Sequence, residues 1–254
     1  MEKTDRPKTP SAYPDQGELF KASNKKHDAL IFFVHFYLGH KKALLRHIRF
    51  VNQLGYDAYV FNIKDKLKDH YGLPYSMVSH KFGLKHAIAD QIEEHMNLLP
   101  EYPKKIAFAF SNVSACCIEA MARRPHQDFI ALICDSGPSL NFMDSAYALY
   151  KHTNPGTAAL RFVAVPTLAY GWSKEMHKDI PGDLMKLPEK FPVLSIRGWK
   201  DPLIKPTDID LCFEPCKNLV WQKLSLPEAG HLTGLRDYPQ EYKPVVDEFL
   251  KSVN

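Results

Sequence analysis

The chain has no apolar run approaching the roughly 18 consecutive residues that a helix needs to span a bilayer. It also lacks a strong charge of one sign: 33 basic and 29 acidic residues leave a net charge of +4. That balance is too mild to argue for a nucleic-acid partner or for binding to an anionic membrane. The cysteines are few and odd in number. Cys116, Cys117, Cys134, Cys212 and Cys216 show neither the spacing of a disulfide framework nor that of a zinc site. Cys116, Cys117 and Cys134 stand in apolar runs and read as buried free thiols, which fits a reducing compartment. There is no Gly-rich phosphate or dinucleotide loop and no His/Glu pattern of a metal centre, so no cofactor and no metal is expected. The opening segment MEKTDRPKTPSAYPDQ is polar and Pro-rich, without the apolar stretch of a secretory signal, and the expected location is cytoplasmic.

A chain of 254 residues is long for one compact domain but ordinary for a single α/β enzyme. Residues 1–16 read as a flexible tail and residues 17–254 as one domain. Continuous apolar runs rich in β-formers recur along it: ALIFFVHF (29–36), DAYVFNI (57–63), KKIAFAF (104–110), DFIALICD (128–135), FPVLSIRG (191–198) and NLVWQKLSL (218–226). Such runs suit strands buried on both faces of a parallel sheet. GELFKAS (17–23) reads as a short edge strand.

Helical patterns fall between the strands. Leu44, Leu45, Ile48, Val51 and Leu54 recur at spacings of three and four, and Gly55 closes that helix. Lys41, Lys42, Arg46 and Arg49 fall mostly between the apolar positions. The common outcome for such cations is a solvated helix face, and the alternative is an anion site. Further helices are expected over 81–99, 111–124 and 238–253, the last interrupted by Pro244. Strands that alternate with helices argue for βαβ units and a mostly parallel central sheet flanked by helices. Residues 137–190 break the alternation. They hold helical stretches rich in Tyr, Phe, Trp, Met and Pro, and read as a helical cap inserted over the sheet edge.

The passage from IAFAF into Ser111-Asn112 carries the most chemical information. A buried strand runs directly into a helix, with a serine at the junction. A tight turn there lifts the hydroxyl above the sheet and brings the helix N-terminus toward the reacting oxygen. Serine is a weak nucleophile until a base, held by an acid, takes its proton. Asp201, in the loop WKDPLIKP, and His231, in the loop PEAGHLTG, each follow a buried strand as Ser111 does. In an open α/β sheet such loops gather on one edge. Ser114 is a second serine in the same stretch, but it falls three residues inside the helix.

On these residues the chain, from about residue 17 to its end, resembles the α/β-hydrolase superfamily. The order Ser111, Asp201, His231 is similar to that family's nucleophile, acid and histidine. PVLSIRGWKDPLI resembles its acid loop, PEAGHL its histidine loop, and VHFYLGH (34–40) the loop that supplies an oxyanion-hole amide. The resemblance implies amide donors at Asn112 and at Tyr37, or alternatively Phe36, with His35 bracing that loop. It also offers Asp135, at the end of DFIALICD, as an alternative acid. It implies a serine hydrolase of the carboxylesterase or lipase kind, acting on a small-molecule acyl substrate with a Ser-His-Asp triad and an acyl-enzyme. A thioesterase or a peptidase would use the same triad. Two departures stand out. Val113 replaces the second glycine of the elbow Ala109-Phe110-Ser111-Asn112-Val113, and Phe36 replaces glycine after His35. The small residues of that elbow allow strand and helix to approach closely. These departures support the rival reading, a binding or scaffolding protein that retains the fold without the reaction.

Overall fold

The strand β2 (Leu30–Val34) shows how the sequence builds the sheet. All five of its residues are buried. Successive side chains of a strand point to opposite faces, so Leu30, Phe32 and Val34 enter one apolar cluster while Ile31 and Phe33 enter another. The same division repeats in β4 (Lys105–Phe110), where Ala107 and Ala109 face one cluster and Ile106, Phe108 and Phe110 the other. A sheet apolar on both faces must be covered on both. In the computed structural model, which describes residues 17–64, 74–124, 128–153 and 160–254, helices supply that cover. The expected tail, residues 1–16, lies outside the described residues.

Among the described residues seven strands make the sheet: β1 (Glu18–Phe20), β2, β3 (Asp57–Val60), β4, β5 (Phe129–Asp135), β6 (Phe191–Gly198) and β7 (Leu219–Leu226). Their spatial order is β1-β3-β2-β4-β5-β6-β7. Only the β1–β3 pair is antiparallel; the others run parallel. The sequence places every one of these strands. β3 ends at Val60, short of the expected residue 63, because Val60 is the last residue with a partner on either neighbour, Glu18 or Phe33.

The helices α1 (Leu45–Leu54) and α9 (Pro239–Ser252) cover the face that holds Ile31 and Phe33. α1 ends at Gly55, which is left-handed at φ 101°. The opposite face is covered by α2 (Leu84–Asn97), α3 (Ser114–Ala122), α6 (Met176–Leu184) and α7 (Pro206–Phe213). α2 begins three residues later than the pattern suggests, since Phe82 bridges to Tyr75 and Gly83 stands at φ 139°. α7 is eight residues long, too short for its periodicity to stand out in the sequence. A one-turn helix, α8 (Gly234–Asp237), follows the histidine loop.

The connection from β5 to β6 carries α4 (Phe142–Thr153), α5 (Arg161–Trp172) and α6. α6 is tied to the body by buried charge. Lys85 on α2 reaches Glu119 on α3 at 2.5 Å and Asp183 on α6 at 3.4 Å, and His86 bonds Glu119 at 2.8 Å. All five cysteines are buried and unpaired. No helix among the described residues is long and apolar enough to cross a membrane.

Candidate active site

β4 delivers Ser111 to the edge of the sheet. Phe110 is still extended, and Ser111 then turns left-handed at φ 56° before the single turn Ser111–Val113 leads into α3. A side chain held in that region costs about 1–2 kcal/mol, so the surroundings must over-determine it. Val113, the residue out of place in the elbow, is wholly buried in the same apolar cluster as Ala109 and Ala115. Its side chain finds room on the core side of the turn, and the turn is kept. The close approach occurs instead at Gly137, at the exit of the adjacent strand β5. A Cβ there would lie 2.3 Å from the Ser111 carbonyl oxygen. Asn112 ties the same two segments together, its side-chain oxygen accepting from the Ser139 amide at 3.0 Å.

The acid and the histidine meet across the loops that follow β6 and β7. His231 Nδ1 lies 2.7 Å from Asp201 Oδ2. The other carboxylate oxygen accepts from the amides of Leu203 at 2.8 Å and Ile204 at 3.0 Å. The Asp201 side chain is thereby fixed by three hydrogen bonds and closed off from solvent. Because the carboxylate accepts, the proton sits on Nδ1 and His231 Nε2 is left as the basic nitrogen.

Asp135, the alternative acid, is engaged elsewhere. Tyr242 donates to it at 2.7 Å and Ser136 at 2.9 Å. Burial pushes its pKa up to about 6, against the pull of those two donors. Its link to the histidine loop is indirect, through Ser136 Oγ, which accepts from the Leu232 amide at 3.1 Å. The structure therefore pairs His231 with Asp201 and not with Asp135.

His35 braces the loop after β2. Its Nε2 accepts from the Ile63 amide at 3.0 Å, so Nδ1 carries the proton donated to the Phe36 carbonyl at 2.8 Å. Burial lowers its pKa, which keeps the ring neutral. The Phe36 carbonyl also accepts from Gly39, closing the loop into a turn. Tyr37 rests edge-on against Trp172 of α5, with 5.4 Å between ring centroids.

Ser111, Asn112, His231, Phe36 and Tyr37 all line one cavity of about 820 Å³. Phe142, Leu149 and Trp172 from the β5–β6 connection form an apolar part of its wall. Asp201 stands behind His231, away from the cavity. Among the described residues the Ser111 hydroxyl has no hydrogen bond to His231; the two share the wall. Ser114 is wholly buried and does not reach the cavity.

No family model matches the chain, and no curated protein matches it. Solved structures do. The esterase Pf2001 of Pyrococcus furiosus superimposes with a TM-score of 0.67 at 18% identity, over 93% of this chain and 87% of that one. The chain has the α/β-hydrolase fold. The monoacylglycerol lipase of Paleococcus ferrophilus gives 0.62 at 16% identity over 94% and 98% of the two chains. MenH from S. aureus gives 0.58 at 15% over 93% and 98%.

Within this α/β-hydrolase fold several residues matter that the sequence did not single out. Gly137 and Ser136 follow β5 and show no motif of their own. His47, on α1, lines the cavity with neither ring nitrogen hydrogen-bonded, and its Nε2 is 3.9 Å from Asp135. Apolar periodicity places His47 on the buried face of α1, but nothing local shows that this face meets the cavity.

Proposed function

We propose that the protein is a serine hydrolase that cleaves an ester or a related acyl substrate, in the manner of a carboxylesterase. The observation that carries this reading is the His231–Asp201 pair, held at 2.7 Å, sharing a cavity with a serine whose backbone is held at φ 56°. His231 Nε2 takes the proton of Ser111 as Oγ attacks the acyl carbon. Asp201 keeps the imidazole in the required tautomer and stabilises its charge when protonated. The amides of Asn112 and Tyr37 receive the oxyanion, each such donor being worth roughly 3 kcal/mol in the transition state. His231 then protonates the leaving group. Water, activated by the same nitrogen, releases the acyl-enzyme. The helices α4 and α5 act as a cap, and the apolar walls they contribute, Phe142, Leu149 and Trp172, favour a substrate with an apolar portion.

Labelling with a fluorophosphonate probe tests the reading on the wild type, Ser111→Ala and Ser114→Ala. The expected result is labelling of wild type and Ser114→Ala and none of Ser111→Ala. A folded wild type that takes no label overturns it and leaves a binding protein on a hydrolase scaffold.

A further inference from the structure

The cations on α1 and in the turn before it are mostly exposed, and three of them border the cavity. Lys41 is taken by an ion pair with Glu18 at 2.9 Å. Lys42, Arg46 and Arg49 instead line the cavity that holds Ser111 and His231, and Arg236 joins them from α8. A second, smaller cavity of about 200 Å³ shares Arg46 and Arg49 with the first and adds Lys243. The cleft that the two outline is lined by five cationic side chains. Among the described residues no Asp or Glu lines either part.

The arrangement concentrates positive charge beside the cavity. Arg46 and Arg49 stand three residues apart on α1, so like charges are neighbours on one side of the helix, and Lys42 in the preceding turn borders the same cavity. A surface helix ordinarily relieves such repulsion with interspersed acids, as Lys251 and Asp247 do on α9 at 2.6 Å. Near the cleft, Asp237 is held by both guanidinium contacts of Arg236, at 2.7 and 2.8 Å, and reaches Arg46 only as a longer-range charge.

We infer that the cleft binds a phosphate-bearing arm of the substrate, so that the molecule cleaved is an ester or thioester carrying phosphate remote from its scissile acyl bond. This rests on the proposed hydrolase reading. Phosphate suits the site better than a single carboxylate. It brings up to two charges per group, and its oxygens match the paired donors of Arg46 and Arg49. The reaction needs only water. The Ser111 oxygen bonds to the acyl carbon as the bond to the leaving oxygen or sulfur breaks. The leaving atom takes the proton held by His231, and water then splits the acyl-enzyme into the free acid and Ser111.

The test pairs a binding measurement with a kinetic one. Calorimetry with inorganic diphosphate is expected to show binding to wild type that weakens with added salt. In Arg46→Ala/Arg49→Ala the affinity should fall at least about tenfold, the scale of one charge-assisted contact, and Arg46→Lys/Arg49→Lys should retain part of it. Butyryl-coenzyme A should be hydrolysed with a kcat/KM at least about tenfold above that of butyryl-N-acetylcysteamine, which has the same thioester and no phosphate. That ratio should collapse toward one in the double alanine variant. Absence of diphosphate binding, or binding unchanged in that variant, overturns the site. Equal values for the two thioesters overturn the substrate assignment. Adsorption to phosphatidylglycerol vesicles without diphosphate binding overturns both and makes the cations a surface for lipid headgroups. If the wild type also takes no fluorophosphonate label, the hydrolase reading has failed by itself, and diphosphate binding alone decides whether the cleft is an anion site.

Discussion

Gly137 lies against the backbone of Ser111 so closely that a methyl group on it would come within 2.3 Å of the Ser111 carbonyl oxygen and 2.9 Å of its Cα. The contact crosses from the exit of β5 to the exit of β4. It confines the serine's backbone at the point where its left-handed conformation needs external support. Gly137→Ala is therefore expected to cost stability and site geometry together. We expect a loss of about 2–3 kcal/mol, typical of forced overpacking, read by urea unfolding, with fluorophosphonate labelling slowed by more than tenfold in the protein that remains folded. A Gly137→Ala variant that labels at the wild-type rate would show that the contact does not hold the turn.

The division of labour between the two acids can be measured. Asp201→Asn offers His231 an amide in place of an acceptor pair and permits the wrong tautomer. On the proposed hydrolase reading, kcat on a neutral p-nitrophenyl ester should drop on the order of 10³–10⁴-fold, with little change in KM. Asp135→Asn should lower it by less than tenfold, since Asp135 bonds Tyr242 and Ser136 and reaches His231 only as a charge. Equal losses from the two substitutions would contradict this assignment.

Asp135 also predicts a pH dependence of stability. Burial raises its pKa to about 6 in the folded protein, from 3.8. The fold thus prefers the protonated acid. The contribution is fully present below about pH 4 and is lost as the pH rises through 6, amounting to about 3 kcal/mol by pH 8. The groups around Asp135 are Tyr242, Ser136 and His47, with His231 and Asp201 acting at longer range. His47 acts oppositely. Burial, with the Arg46 charge, holds its pKa near 3, so its contribution is present above 6.5 and is lost as the pH falls toward 3. His47 titrates in both wild type and Asp135→Asn and largely cancels in their difference. Denaturant unfolding at pH 4 and pH 8 should show the difference moving in favour of Asp135→Asn by that amount. A difference that stays flat between the two pH values would contradict it.

The buried charges that join α6 to α2 and α3 yield a stability prediction remote from the cavity. Lys85 is wholly buried between Glu119 and Asp183. Burial alone would raise the Glu119 pKa, but the His86 hydrogen bond and the Lys85 and Arg123 charges outweigh it and hold the acid well below the usual carboxylate range. Its contribution is therefore present above 4.5 and fades on acidification. Lys85→Met removes one partner and should cost about 3 kcal/mol, with Lys85→Met/Glu119→Gln recovering part of it. A neutral Lys85→Met variant would mean that the cluster contributes nothing net to holding α6.

Apolar runs such as LIFFV and IAFAF determine strands without outside help, because a polar side chain in a strand buried on both faces needs a bonding partner, as Lys105 finds in Asp128. The same logic made Ser111, Asp201 and His231 legible. A reactive residue type immediately after a buried strand stands out, since every such strand must end on one edge of a parallel sheet. Tertiary structure decided what depends on neighbours distant in sequence. The order β4-β5-β6-β7 places Gly137 over Ser111, gives His231 to Asp201, and leaves Asp135 to Tyr242 of α9. The periodicity of α1 separated its cations from its apolar face but not where they point. That the exposed Arg46 and Arg49 also border the cavity of Ser111 and His231 is set by the packing of α1 beside the loop of His231, and charge has no local signature of the surface it will face.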